Sequence, residues 1–409
     1  MQVATRRSAS ARRTPRREAP SIPTQPGSRP AVTGRKRRRD PWWARLLVIV
    51  GALLMMASGA TIVGGKVLIG RYTADLPQQN LLGEAGAHGA NINGAINMLM
   101  VGLDERANQS PDELVRADTI MIMHVPPSHD QAFLVSIPRD TRVRIPAYPK
   151  TGYAGGLDKI NAAFAFGSQG PGTIEEKRAR GVELLALTIR DLTGIAFTGA
   201  AIIDFQGFEA VLHALGGVTM YVERRAESIH LAYDKNGKIV RVWYDDAAGK
   251  VRGIPPGGHV VVHEPGWQKM SPVLALDYTR IRKGSCCPNG DYDRQRHQRQ
   301  LLKAIVKEAT SKGLIADPVK LDRVIKAAGK AFILDTQGIP VEDFIFTLKG
   351  ITSNDLMTVE TNAGKAHGQM INGVAYEQLT DESIQMFAAV RDGKLFDFLA
   401  THPDFVARA

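Results

Sequence analysis

Residues 96–102 read INMLMVG, residues 120–125 IMIMHV and residues 132–137 AFLVSI. Each is a short apolar run bounded by turn residues, the pattern of a buried strand. Pro126-Pro127-Ser128-His129-Asp130 lies between the second and the third and signals a turn, so those two runs are expected to pair as a hairpin. Helical patterns follow. Residues 157–167 form one. Residues 178–193 form another, with Val182, Leu185, Ala186, Ile189 and Leu192 at helical spacing and Gly194 as the stop. Residues 200–205 read as a strand, 208–215 as a helix closed by Gly216-Gly217, and 218–222 as a strand. Residues 272–278 and 294–312 read as helices, and from Asp317 helices alternate with short β runs such as 356–360. Strands interleaved with helices predict an α/β domain whose sheet is covered on both faces. No internal repeat, G-x-G-x-x-G or Walker A loop occurs.

The formal net charge of +11 suggests a nucleic-acid binder until its distribution is read. Residues 1–40 hold twelve Arg or Lys against Glu18 and Asp40, so they carry +10, and the other 369 residues about +1. The basicity belongs to a tail, and no nucleic-acid partner is expected. That tail, residues 1–41, is rich in Arg, Pro, Ser and Thr and lacks aromatics before Trp42, the composition of a disordered segment.

Residues 42–70 read as a membrane anchor. Trp42-Trp43 suit the interface, and 46–65 contain no charge. Twenty helical residues rise about 30 Å, the thickness of a bilayer core. The basic run at 35–39 outweighs Lys66 and Arg71, which places the N-terminus in the cytoplasm and the rest outside the cell membrane. A cleaved signal peptide has a shorter n-region and h-region, and a buried core helix would have nothing before it as cover. Residues 71–95, polar and rich in Gly and Asn, read as a spacer before a domain at 96–409. Two adjacent cysteines, Cys286-Cys287, are compatible with a vicinal disulfide or two thiols. His259 and His263 share a strand face, but no third ligand makes them a metal site.

The polar residues that stand out lie at strand ends and in loops, where active sites are assembled. Asp104 follows the first strand, Arg116 and Asp118 precede the second, and Arg139-Asp140-Thr141 follows the third. Lys159 and Asn161 open a helix; Arg280 and Arg282 follow one; Asp291, Arg294 and Gln298 begin the long one. Guanidinium forks bind phosphate oxygens bidentately, and aspartates hold Mg²⁺ against phosphates. Phosphoryl transfer needs mainly positioning and charge neutralisation, so the mixture suits a phosphorylated, metal-bound ligand.

Asp104-Glu105-Arg106, Arg116-Ala117-Asp118-Thr119, Ser136 through Thr141 (SIPRDT), Lys159 through Ala163 (KINAA) and Asp204 through Phe208 (DFQGF) resemble the LytR-CpsA-Psr family. So do Leu215-Gly216-Gly217-Val218, Tyr278 through Arg282 (YTRIR) and Asp291 through Gln298. The likeness is strongest over 96–310; the part around Asn372-Gly373 completes the domain more weakly. The resemblance implies a three-layer α–β–α sandwich around a mixed sheet that buries a polyprenyl chain. It implies a Mg²⁺-dependent enzyme that moves a phosphoglycan from a polyprenyl pyrophosphate to a peptidoglycan hydroxyl. Asp104 and Asp118 match the family's metal carboxylates. Arg116, Arg139, Arg280, Arg282 and Arg294 match its pyrophosphate-binding arginines, and Gln298 and Asp291 its amide and acid at the helix start. Asp140 and Asp291 are candidates for the base. His297 stands where an Arg is common and Asp293 where a Gly is common; His297 retains a donor for phosphate. A pyrophosphatase using the same residues and a non-enzymatic lipid-binding or regulatory role are the rival readings.

Overall fold

The computed structural model describes residues 77–87, 89, 91–103, 115–311, 317–348 and 350–407, with the backbone alone at 204–206, 318, 321 and 330. The basic tail, the expected anchor at 42–70 and Asp104 lie outside the described residues. Among those described, no helix is long and apolar enough to cross a membrane.

The three apolar runs form β1 (Ile96–Leu103), β2 (Ala117–Val125) and β3 (Ala132–Ile137), antiparallel to one another in sequence order. Side chains alternate across a strand. Leu99, Ile122 and Val135 therefore line up on one face, and Met98, Met123 and Leu134 on the other. β4 (Gly199–Asp204) adds to β1 in parallel, β5 (Phe332–Asp335) to β4 antiparallel, and β6 (Leu356–Glu360) to β3 in parallel. The sheet is mixed, in the order β5-β4-β1-β2-β3-β6.

Both faces are covered, as expected. α1 (Ile160–Gly167) and α2 (Ile174–Thr193) share a core with Leu99, Ile122, Val135 and Val359. Thr173 and Glu176 close a capping box at the start of α2, and Gly194, with φ 72°, ends it in the left-handed conformation that glycine adopts without a Cβ penalty. α3 (Phe205–Leu215), α4 (Pro272–Arg280), α5 (Asp291–Ala309) and α6 (Pro318–Ala331) build a second core with Val218, Met220 and Met270. Leu302 and Val306 of α5 share a third core with Ile96, Val125 and Ala132 on the methionine face.

Three expectations are corrected. The helix read at 157–167 begins at Ile160, because Gly156–Lys159 is a strand paired with Arg142–Ile145. Arg280 is the last residue of α4 rather than a loop residue beyond it. The spacer read at 71–95 has joined the domain by Pro77: Gln78 bridges Leu334, and Leu81 and Leu82 are fully buried. Burial of one leucine contributes about 1.5–3 kcal/mol, which outweighs the polar character of the surrounding residues. Asp335 receives both backbone N–H groups of that Leu pair at 2.8 Å.

Candidate active site

Because β2 runs against β1 and β3, its start lies beside their ends. Asp118 and Thr119 thus meet the Arg139–Asp140 loop at one end of the sheet, and α5 begins there. The loop is held from several sides. The N–H groups of Ile160 and Asn161 at the start of α1 donate to the carbonyls of Thr141 and Arg139 at 2.8 and 3.1 Å. The N–H of Glu377 donates to the carbonyl of Asp140 at 2.9 Å.

Arg139 Nη1 donates to Asp118 Oδ1 at 2.8 Å. Arg294 Nη2 donates to the Asp118 carbonyl at 3.0 Å and to Asp291 Oδ1 at 2.6 Å, with its Nε 2.9 Å from the same oxygen. Gln295 Nε2 donates to Asp291 Oδ2 at 2.9 Å. Lys159 Nζ is 2.9 Å from Asp140 Oδ1, and Thr119 Oγ1 donates to Gln298 Oε1 at 3.1 Å. Arg139 Nε has no such partner. It lies 3.9 Å from Asp140 Oδ2 and 3.8 Å from Asp291 Oδ1, beyond hydrogen-bond reach. It is buried without an acceptor among the described residues. A buried donor left unmet costs about 1–3 kcal/mol.

Burial would raise the Asp291 carboxyl, but Arg294, Arg139 and the hydrogen bonds from Gln295 and Arg294 outweigh it and hold the group below the usual range. Burial lowers the Arg139 guanidinium, yet the fields of Asp118, Asp291 and Asp140 raise it on balance. Arg282 is lowered, first by burial and then by Arg139 and Arg294, so it lies within their electrostatic reach. Among the described residues, Arg139, Arg282, Arg294 and Lys159 therefore face Asp118, Asp140 and Asp291, one cation in excess. An anion with several oxygens fits that balance and the idle Nε.

Arg116 stands two residues before Asp118 and is exposed, with no ion pair to the cluster among the described residues. Arg280 closes α4 and lies close enough to His230 to lower its proton affinity, after burial. Asp118 is partly exposed and offers a hard carboxylate at the rim, suited to Mg²⁺, which takes one or two carboxylates together with phosphates. No group of three His, Cys, Asp or Glu that could hold a metal occurs among the described residues.

The LytR_cpsA_psr family model matches residues 73–391. The chain belongs to that family. A relative from Oceanobacillus iheyensis, named polyisoprenyl-teichoic acid–peptidoglycan teichoic acid transferase TagU, is 25% identical over 358 residues, covering 86% of this chain and 92% of its own. The probable cell wall biosynthesis protein LcpB of Corynebacterium glutamicum is 29% identical over 247 residues, or 58% of this chain and 47% of LcpB. The chain thus spans about half the length of LcpB. The crystal structure of TagV from B. subtilis aligns with a TM-score of 0.51 at 20% identity, over 75% of this chain and 99% of TagV, which shows a shared fold.

Within this LytR_cpsA_psr member the departures at α5 have structural roles. His297 is buried and stacks on Tyr278 with ring centroids 4.1 Å apart. Burial lowers its pKa to about 3, so near neutral pH it is uncharged and packed inside the protein, where a partly charged donor to phosphate was expected. Asp293 is fully buried and pairs with Arg296 at 2.6 Å, and Arg296 Nε reaches Glu223 at 3.0 Å. Arg299, buried deeper on the same helix, pairs with Glu360 of β6 and donates to Ser136 of β3 at 2.7 Å. Arg299 thereby ties α5 to β6 and to β3, the strand that leads into the Arg139 loop.

Cys286 and Cys287 form a vicinal disulfide, buried in the loop between Arg282 and Asp291. His259 is exposed, whereas His263 is buried and its Nε2 meets Asp277 at 2.8 Å. Two neighbours of the site were missed in the sequence. Tyr376 places its ring 6.0 Å from Lys159 Nζ, a contact between distant segments that carries no local signal. Gln295 could have been found, since it stands four residues after Asp291 on one helix face.

Proposed function

We propose that this chain transfers a phosphoglycan from a polyprenyl pyrophosphate to a hydroxyl of peptidoglycan, at the cluster around Arg139. The observation that carries the reading is the Arg139 Nε, buried and, among the described residues, without an acceptor in a cluster with one cation in excess. A pyrophosphate supplies the missing oxygens and charge. Family membership and the TagU relative's name support the glycan and the acceptor.

The acceptor oxygen forms a bond to the glycan-side phosphorus. The phosphoanhydride bond breaks, and its electron pair leaves on polyprenyl phosphate. Arg139, Arg282 and Arg294 neutralise that charge as it develops, and Arg116 and Arg280 are assigned to the pyrophosphate by the family likeness alone. Asp291 spends both its oxygens on Arg294 and Gln295, and its depressed pKa makes it a poor proton acceptor, so it orients rather than deprotonates. Asp140, partly exposed and held by Lys159 through one oxygen, takes the acceptor proton. Asp118, with Asp104, would hold Mg²⁺, which would supply further charge neutralisation to the pyrophosphate. Residues 42–70 anchor the chain in the cell membrane with the catalytic domain outside.

Extraction of the purified chain with organic solvent and mass spectrometry tests the ligand class. Polyprenyl phosphate or pyrophosphate in the extract, reduced in Arg139→Ala, is the expected result. Equal lipid in both proteins, or none in either, contradicts it.

A further inference from the structure

Val218–Val222 and Gly266–Met270 pair as a two-stranded sheet with unlike faces. Val218, Met220, Val222 and Met270 point into the second core. Thr219, Tyr221, Trp267 and Lys269 point outward and are exposed. Trp267, at 69% exposure, is the most exposed large apolar side chain among the described residues. The register sets it opposite Tyr221, with the rings 5.4 Å apart, and sets Lys269 opposite Thr219. Lys307, in the last turn of α5, holds its Nζ 5.4 Å from the Trp267 ring centroid.

The place of this patch is as informative as its composition. α5 starts at the site with Asp291 and carries Lys307 sixteen residues later, about 24 Å along the helix. Its later residues Leu302 and Val306 share a core with Ile96, Val125 and Ala132, which lie at the far end of the sheet. The described chain enters at that same end: Leu334 N–H donates to the Pro77 carbonyl at 3.0 Å, and Asp335 lies opposite Ala200 near the start of β4. By sequence the expected anchor ends at Gly70, seven residues before Pro77, a reach of at most about 25 Å.

We infer that Tyr221, Trp267, Lys269 and Lys307 form a face that rests on the anionic headgroup layer of the membrane. The inference relies on the anchor at 42–70 in the functional reading above. Indole and phenol rings favour the bilayer interface, and lysines beside them meet lipid phosphates. A glycan is the poorer fit. Lys307 stands over the indole face that a sugar ring would occupy, and it lies far along α5 from the transferring group. Seated this way, the domain holds its Arg139 end away from the bilayer and toward the wall.

The test uses the full chain with Trp42, Trp43 and Trp243 changed to Phe, leaving Trp267 as the only indole. It is reconstituted in vesicles of phosphatidylcholine and phosphatidylglycerol, with plain or brominated acyl chains. The expected result is a blue-shifted Trp267 emission that brominated lipid quenches, with less quenching in Lys269→Glu and Lys307→Glu. A chain that floats with the vesicles but keeps a water-like, unquenched emission overturns the inference and leaves the anchor standing. A chain that does not float overturns both. Emission that answers to soluble peptidoglycan fragments and not to brominated lipid makes the patch a glycan platform and overturns the membrane face.

Discussion

Arg139 donates through Nη1 to Asp118 at 2.8 Å while its Nε reaches no acceptor, although Asp140 and Asp291 stand just beyond hydrogen-bond distance. One edge of the guanidinium is spent on holding the side chain, and the other is left for a ligand. Such a donor is already oriented and desolvated, so it stabilises charge in the transition state without reorganising.

Arg139→Ala is expected to lower the rate of transfer by about 10²–10³, the cost of one preorganised donor to developing charge. Arg139→Lys should recover little, because an ammonium lacks the fork that spans Asp118 and a phosphate at once. Rates measured with saturating donor and acceptor check this; full turnover in the lysine variant would remove the need for bidentate geometry.

Asp291 links acid stability to the site. Its folded pKa is depressed, so its contribution to stability is present above the unfolded carboxyl value and is lost as pH falls through the folded one. Asp291→Asn should therefore be less stable than the parent near neutral pH, and the gap should close in strong acid. Denaturant unfolding of both proteins across that range reads the difference. A gap that does not change with pH would mean that the charge is not what matters.

His297 acts in the same direction at milder pH. Burial lowers it from 6.5 to about 3, so between these values the unfolded chain binds the extra proton. Stability is full above the unfolded value and falls below it by up to about 1.4 kcal/mol per pH unit for this group. His297→Phe keeps the stack on Tyr278 and removes the titration. It should show a shallower loss of stability between pH 6.5 and 5 than the parent; equal slopes would exclude His297 as the source.

The strands of the central sheet were legible because burial on both faces gives continuous apolar runs, as in Ala132–Ile137. Ala226–Tyr233 (AESIHLAY) was not, since its polar residues break such a run. The arginines and acids of the site could be named from motifs, and the loops do bring Asp118, Arg139, Asp291 and Arg294 together. What held them was hidden. Arg299 sits on a helix rich in charges and reads as a solvated side chain, yet it is buried against Glu360. Only the packing of α5 on β3 and β6 reveals that.

That pair gives a stability prediction. Arg299→Ala leaves the Glu360 carboxylate buried without its partner and should cost about 3–5 kcal/mol. Arg299→Met combined with Glu360→Leu should recover much of the loss, since neither charge is then stranded. Urea midpoints of the parent, single and double variants make the comparison; a single variant as stable as the parent would show that water reaches the pair.

The most direct measurement follows a labelled glycan on polyprenyl pyrophosphate incubated with the full chain, Mg²⁺ and peptidoglycan. The expected result is label in the insoluble wall fraction, with one polyprenyl phosphate released per glycan attached and both products lost in Arg139→Ala. Label released to water as free glycan phosphate, at the same rate with and without peptidoglycan, would contradict transfer and make the protein a pyrophosphatase.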